Sequence, residues 1–420
     1  MKNLPLSIIP IATACLALIS CKCDDTPKIT YFVFEEFTPK SVGTIDHSAN
    51  TITVEVPGSA DVTSLSPTIE TGNSDCLNLA PLSGTNQDFS STVTYRVSNE
   101  IDEVVQYEVT VNVEESEPED IILSINWSTG SDLPYAVAWS SSVILDNKFY
   151  VIGGANSQEV TNVVQEYDPE SDTWNDDVSA LQKKRWGHSS TVVDGKIYVM
   201  GGTDAARGEA LTSIEVYDPG TGNWVFEGEM DLGRIGHRAV AHQGKIYLFG
   251  GITKEPSPTT LDDVEVYDPA TLTWETLTPM PTSRQFPAIC KIGDVVYLLG
   301  GGVSYPYPGS KAIEAYNITK NEWEEKAPLK AGVLDLNACE IDGKIICVGG
   351  SVLWATYALA DVQLYDPATD RVYLNTEMRF PIASTAVFAH QGKIYVGGGY
   401  QTAQPDWTFS PKLEIGIPEF

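Results

Sequence analysis

Three arginines and two histidines recur at matching places in this chain. The strings "KKRWGHSS", "LGRIGHRA" and "PTSRQFPA" set Arg185, Arg234 and Arg284 in one position, at steps of 49 and 50 residues. His188 and His237 share a second position, where Pro287 stands in the third string. A guanidinium forks parallel hydrogen bonds onto a carboxylate, so three brought together would clamp an acidic ligand or bridge acidic side chains. An imidazole beside them would move a proton near neutral pH. Such a cluster stands out in 420 residues with 26 Lys+Arg, 57 Asp+Glu and a formal net charge of -31. That balance argues against a nucleic-acid partner, which needs a basic footprint. No convincing catalytic set emerges, no cysteine spacing resembles a zinc clamp, and neither metal nor cofactor is expected.

The elements that hold these residues repeat. Glycine pairs fall at Gly153-Gly154, Gly201-Gly202, Gly250-Gly251, Gly300-Gly301, Gly349-Gly350 and Gly398-Gly399, at steps of 48, 49, 50, 49 and 49 residues. Apolar runs precede them, among them "KFYVI", "KIYVM" and "KIYLF". After the pairs come "EYDP", "VYDP" twice, "AYNI" and "LYDP", and then Trp174, Trp224, Trp274 and Trp323, with Tyr373 in the last place. This three-motif register resembles the kelch repeat. The resemblance covers residues 121–420 and implies a β-propeller of four-stranded antiparallel blades.

Each repeat supplies four short strands, a to d. Six glycine pairs are followed by only five complete Tyr…Trp units, and after the sixth "KLEIGIPEF" supplies a strand c and the chain ends. "IILSINWST", Ile121 to Thr129, is the spare strand d. The expectation is a six-bladed ring closed by one N-terminal strand and three C-terminal ones, which removes the exposed sheet edge. In such a blade the b–c and d–a connections emerge on one face, and here the b–c loops are long and irregular. Variable loops on a rigid ring are the usual place for recognition. The same repeat position as the arginines holds Val137, Val333 and Ile382, so a lopsided channel mouth is predicted, with Arg185, Arg234, Arg284, His188 and His237 as ligand contacts. In kelch repeats an arginine at this place also ties neighbouring blades, and both roles stand open. Trp139, Trp186, Tyr305, Tyr307, Trp354 and Trp407 lie in or beside these connections, positioned to stack on sugar rings or to pack locally.

Residues 28–115 have a different grammar. "NTITVEVP", "STVTYRVS" and "VVQYEVTVNV" alternate apolar and polar residues between turn-rich stretches. The region reads as a small Ig-like β-sandwich and resembles spacer modules near the N-terminus of Bacteroidetes surface lipoproteins. Residues 116–120, within "EESEPED", form an acidic linker to the propeller. Residues 1–20 read as a signal peptide, and Leu18-Ile19-Ser20-Cys21 resembles a lipobox, which implies lipidation at Cys21, a tether over 21–27 and no membrane span in the mature protein. Cys339 and Cys347 flank the turn "IDGK", open to a disulfide or to buried thiols.

Together these features describe an all-β protein of the cell envelope, lipid-anchored at the outer membrane or cell surface, whose propeller face binds a glycan or a cell-surface protein. Galactose-oxidase-like chemistry is disfavoured, since the late repeats offer only His390 among the histidines. The alternative is a sugar mutarotase similar to the bacterial six-bladed N-acetylneuraminate epimerases, with arginines holding the sugar acid's carboxylate.

Overall fold

The computed structural model describes residues 26–420 except 59, 73–76, 114–123, 176, 206–207, 255–256, 304–306, 354–355 and 403–406. The lipobox and Cys21 therefore lie outside the described residues, as do Tyr305 and Trp354. All regular structure among the described residues is β, and none of their segments is a helix long and apolar enough to cross a membrane. The chain divides into an N-terminal unit, Met1–Glu35 with Gly43–Glu114, and a larger unit, Glu36–Val42 with Glu115–Phe420.

In the N-terminal unit a five-stranded sheet runs in the order Thr44–Asp46, Thr51–Val56, Val104–Val113, Val93–Asn99, Leu77–Ala80. The pairing of Thr51–Val56 with Val104–Val113 is parallel and the others are antiparallel. Ile29–Phe34 pairs with Thr68–Thr71 in a second sheet. The alternation seen in the sequence sets the core face: Ile52, Val54, Val56, Tyr95, Val97, Tyr107 and Val109 are buried. Phe32 of the second sheet meets Tyr95 of the first edge-on, with ring centroids 5.7 Å apart, so the two sheets pack face to face.

The larger unit is a ring of six four-stranded antiparallel sheets. Blade 1 comprises Ser141–Leu145, Lys148–Ile152, Val164–Asp168 and Thr173–Asn175, as strands a to d. Blade 2 comprises Ser189–Val193, Lys196–Met200, Ser213–Asp218 and Asn223–Glu229. Blades 3, 4 and 5 open with strands a at Arg238–His242, Ala288–Ile292 and Asn337–Ile341. Blade 6 is Ala386–His390, Lys393–Gly397 and Leu413–Glu419, completed by Ser124–Thr129 from the N-terminal side, with Gly416 opposite Trp127.

Repeat motifs set the packing between strands. Tyr167, Tyr217, Tyr267 and Tyr316 of strands c stand opposite Trp174, Trp224, Trp274 and Trp323 of strands d. Blade 5 departs from the expected pattern: Val372, not Tyr373, stands opposite Tyr365, and Tyr373 moves one residue along to face Leu364. Period-2 geometry then sends Tyr373 to the other side of the sheet, and it joins a different core cluster from Tyr365 and Val372. The same rule settles the cysteines. Cys339 pairs with Ile346 and Cys347 with Ala338, so the two point to opposite faces, and both are buried free thiols.

Candidate functional site

The d–a connections converge at the centre of the ring. Trp139, Gly187, Gly236, Phe286, Asp335 and Ser384 occupy one repeat position and all have left-handed backbones, with φ from 49° to 67°. Each donates its main-chain N–H to the carbonyl of the equivalent residue one blade earlier. The six bonds run from Trp139 to Ser384, Ser384 to Asp335, Asp335 to Phe286, Phe286 to Gly236, Gly236 to Gly187 and Gly187 to Trp139, at 2.7–3.2 Å. They form a closed circle of hydrogen bonds about the propeller axis. Glycine suits this position. Tryptophan and phenylalanine there carry a backbone cost of about 1–2 kcal/mol each, a cost that clusters at functional sites.

Above this circle, on the face of the b–c and d–a connections, lies a cavity of about 700 Å³. Six aromatic side chains line it: Trp139, Trp186, Phe286, Tyr307, Trp407 and Phe409. Trp139 is the hub, with ring centroids 5.7 Å from Trp186, 5.2 Å from Trp407 and 6.2 Å from Phe409. Two loop hairpins, Ile252–Thr253 with Thr259–Thr260 and Tyr400–Thr402 with Thr408–Phe409, contribute lining residues. Amides of Asn156, Gln158 and Gln285 and the hydroxyl of Thr253 supply hydrogen-bonding groups among the rings. Four of the six aromatics singled out from the sequence thus share one cavity. The other two, Tyr305 and Trp354, lie outside the described residues. Phe286 and Phe409 were missed: Phe286 sits in "SRQFPA", read only for its arginine, and Phe409 sits at the far end of a long loop.

The arginines are elsewhere. Arg185, Arg234 and Arg284 are 0%, 1% and 0% exposed, and none lines the cavity. Arg185 Nη1 donates to the carbonyls of Gly201 at 2.8 Å and Ser213 at 3.2 Å, and Nη2 reaches Glu215 Oε1 at 2.5 Å. Arg234 reaches Glu265 at 2.5 Å and Arg284 reaches Glu314 at 2.7 Å. Meanwhile the Arg185 carbonyl accepts from Gly154 N–H of blade 1. Its main chain holds the preceding blade and its side chain the following one. The expected basic channel mouth is therefore not formed by these residues, because the long arginine stem runs inward along the blade.

His188 and His237 are likewise buried. Each sits on the glycine pairs: a Cβ at Gly153 would stand 2.8 Å from His188 Cε1, and one at Gly201 2.7 Å from His237 Cε1. Burial first, and then the charges of Arg185 and Arg234 respectively, hold both imidazoles well below the usual range. They are neutral at physiological pH.

Below the aromatic hub is a buried polar group, Asp335. The Tyr400 hydroxyl lies 3.4 Å from Asp335 Oδ2, and the Tyr400 ring packs 5.3 Å from Trp139. Burial pushes the Asp335 carboxyl up to about 6, against the opposing influence of Ser384, Arg238, Tyr400 and Trp139.

Comparison with known proteins fits this architecture. The model of the KLHDC2/KLHL20/DRC7 Kelch-repeats domain matches residues 123–301 and 187–399. The chain belongs to this kelch-repeat family. Relatives include Kelch-like protein 36 of Rattus norvegicus, 25% identical over 54% of this chain and 38% of that protein. Alpha-scruin of Limulus polyphemus is 27% identical over 52% and 27% of the two chains, and Kelch-like protein terF of Aspergillus terreus 27% identical over 62% and 60%. The chain thus spans less than two thirds of the length of each of these relatives. The solved structure of YjhT shares the fold, with a TM-score of 0.59 at 18% identity, over 70% of this chain and 100% of that one. Outside the kelch repeats, residues 29–111 match the model described as SGBP, N-terminal.

The kelch repeats carried a signal that sequence reading passed over. Two residues before the strand c tyrosine stand Glu215, Glu265 and Glu314, in the blades whose connection carries arginine. Where the connection has Val137 or Val333, that place holds Gln165 or Gln363. The charge pairing was written in five of the six copies; the sixth sets Ile382 with Glu414, whose cation is Arg379 at 3.9 Å.

Proposed function

We propose that this kelch propeller is the recognition domain of an envelope-surface protein and takes a glycan in the aromatic cavity of its b–c/d–a face. The observation that carries the reading is the convergence of Trp139, Trp186, Phe286, Tyr307, Trp407 and Phe409 around one cavity. Three of these aromatics, Trp139, Phe286 and Tyr307, occupy left-handed positions where glycine would be free of strain. Aromatic faces stack on the apolar C–H faces of sugar rings while amides satisfy hydroxyls. The match of residues 29–111 to the N-terminal module of surface glycan-binding proteins supports the same reading. In it, the N-terminal Ig-like module is a spacer and Cys21 a lipid anchor. The sugar-acid mutarotase alternative loses its supporting residues, since the guanidinium groups are engaged by glutamates and the histidines are buried.

The test is titration of the full chain with a panel of host and plant glycans, followed by ligand NMR, beside the variants Trp186→Ala and Trp407→Ala. Saturable binding weakened by both variants is expected. Binding indifferent to both, or capture of a protein but no glycan, would overturn the reading. Anomeric exchange accelerated in the same tubes would show that the module also does chemistry.

A further inference from the structure

The charges of the cavity point to the class of sugar it takes, an inference that rests on the glycan reading above. Among the described lining residues only Glu159, Asp204 and Lys254 have acidic or basic side chains. Glu159 and Lys254 are already engaged within the protein. Glu159 forms an ion pair with Lys184 and accepts from the Tyr135 hydroxyl at 3.1 Å. Lys254 Nζ lies 3.4 Å from the Ala205 carbonyl and 3.5 Å from Thr203 Oγ1, and stands 6.0 Å over the Trp186 ring. Asp204, of opposite charge, lines the same cavity. The three arginines that would have drawn a ligand carboxylate are sequestered by Glu215, Glu265 and Glu314.

We infer that the cavity selects an uncharged saccharide and discriminates against acidic sugars. A carboxylate entering an aromatic-lined cavity sheds water, and that cost is repaid only by a cation able to turn to it. Here the lysine would first have to leave a carbonyl, a hydroxyl and an aromatic face. The field of a chain carrying -31 opposes the approach as well. An uncharged sugar meets neither penalty, and its hydroxyls find the amides of Asn156, Gln158 and Gln285.

Matched pairs separate the possibilities: lactose against sialyllactose, and neutral oligosaccharides against their uronic-acid counterparts, titrated calorimetrically into the full chain at two salt concentrations. The expected result is a preference of about tenfold or more for the neutral member. With it, raising the salt concentration should change neutral-sugar affinity by less than about threefold, since no ion pair to the ligand is screened. An acidic member that binds as well or better, and is lost in Lys254→Met, overturns the inference while leaving the glycan reading intact. No binding of any saccharide, neutral or acidic, brings down both together.

Discussion

Removing the Arg185 guanidinium should destabilise the propeller without touching the cavity. The side chain is fully buried and makes four contacts: Gly201 O at 2.8 Å, Ser213 O at 3.2 Å, Ser213 Oγ at 3.1 Å and Glu215 Oε1 at 2.5 Å. Arg185→Val leaves Glu215 as a buried carboxylate held by two main-chain donors, Gln182 N at 2.6 Å and Lys183 N at 3.1 Å. Breaking a buried ion pair from one side costs about 3–5 kcal/mol, a large part of the roughly 5–15 kcal/mol by which a folded domain is stable. The kelch ring supplies its own rescue. Blade 1 has Val137 with Gln165, and the Gln165 amide accepts from Tyr135 N at 2.8 Å and donates to Tyr135 O at 3.0 Å. Blade 5 repeats the device, with Gln363 accepting from Lys330 N at 3.0 Å. The double variant Arg185→Val/Glu215→Gln installs that uncharged pair and should recover at least half of the loss. All nine tryptophans lie in the propeller sequence, so their fluorescence in urea follows this unit. An unchanged midpoint in Arg185→Val accompanied by loss of ligand would refute the structural role. So would a double variant no more stable than the single one.

Two further outcomes follow from the same geometry. Gly154 and Gly195 both have positive φ, 104° and 73°, but a Cβ at Gly154 would stand 2.7 Å from the Ala138 carbonyl, whereas one at Gly195 meets nothing within 4 Å. Gly195→Ala should cost about 1 kcal/mol from backbone conformation alone, and Gly154→Ala about 2–3 kcal/mol more through overpacking; equal urea midpoints would contradict the close approach of Gly154 to the connection that leads into strand a of its own blade. For Asp335, burial raises the folded carboxyl to about 6, while the unfolded value is near 3.9. Between those values the folded chain holds a proton that the unfolded chain has lost, so this group's contribution to stability falls as pH rises, by about 2 kcal/mol from pH 4 to pH 6. Asp335→Asn lacks that slope, and the difference in unfolding free energy between the two proteins, measured across that window, should change by this amount in the variant's favour; a flat difference would mean that Asp335 is not held protonated.

Much of this molecule was legible because the chain repeats itself. The glycine pairs counted the blades, and the missing strand d in the last repeat located its replacement at the N-terminal side, where Ser124–Thr129 now pairs with Leu413–Glu419. The arginines misled for a reason that periodicity hides. A connection on the loop face need not send its side chain to that face, and a guanidinium on a three-methylene stem reaches a strand c glutamate as readily as solvent. The decisive clue lay some 30 residues downstream, in the alternation of glutamate and glutamine, and needed the topology to bring it alongside.

The positions that escape the repeat carry the functional argument. At the central circle, Gly187 and Gly236 satisfy a left-handed backbone at no steric cost, and four other residues hold it against their own preference. Two of those four, Trp139 and Phe286, turn aromatic rings into the cavity, and a third, Asp335, sits buried beside the tyrosine that packs under Trp139. A ring that needed only closure would be best served by glycine throughout, since the six hydrogen bonds are main-chain bonds. Strain accepted at a position where a stable alternative appears elsewhere in the same ring is what a recognition surface would leave behind. The periodic residues, arginines and histidines included, build the propeller, and the aperiodic aromatics give one face of it something to bind.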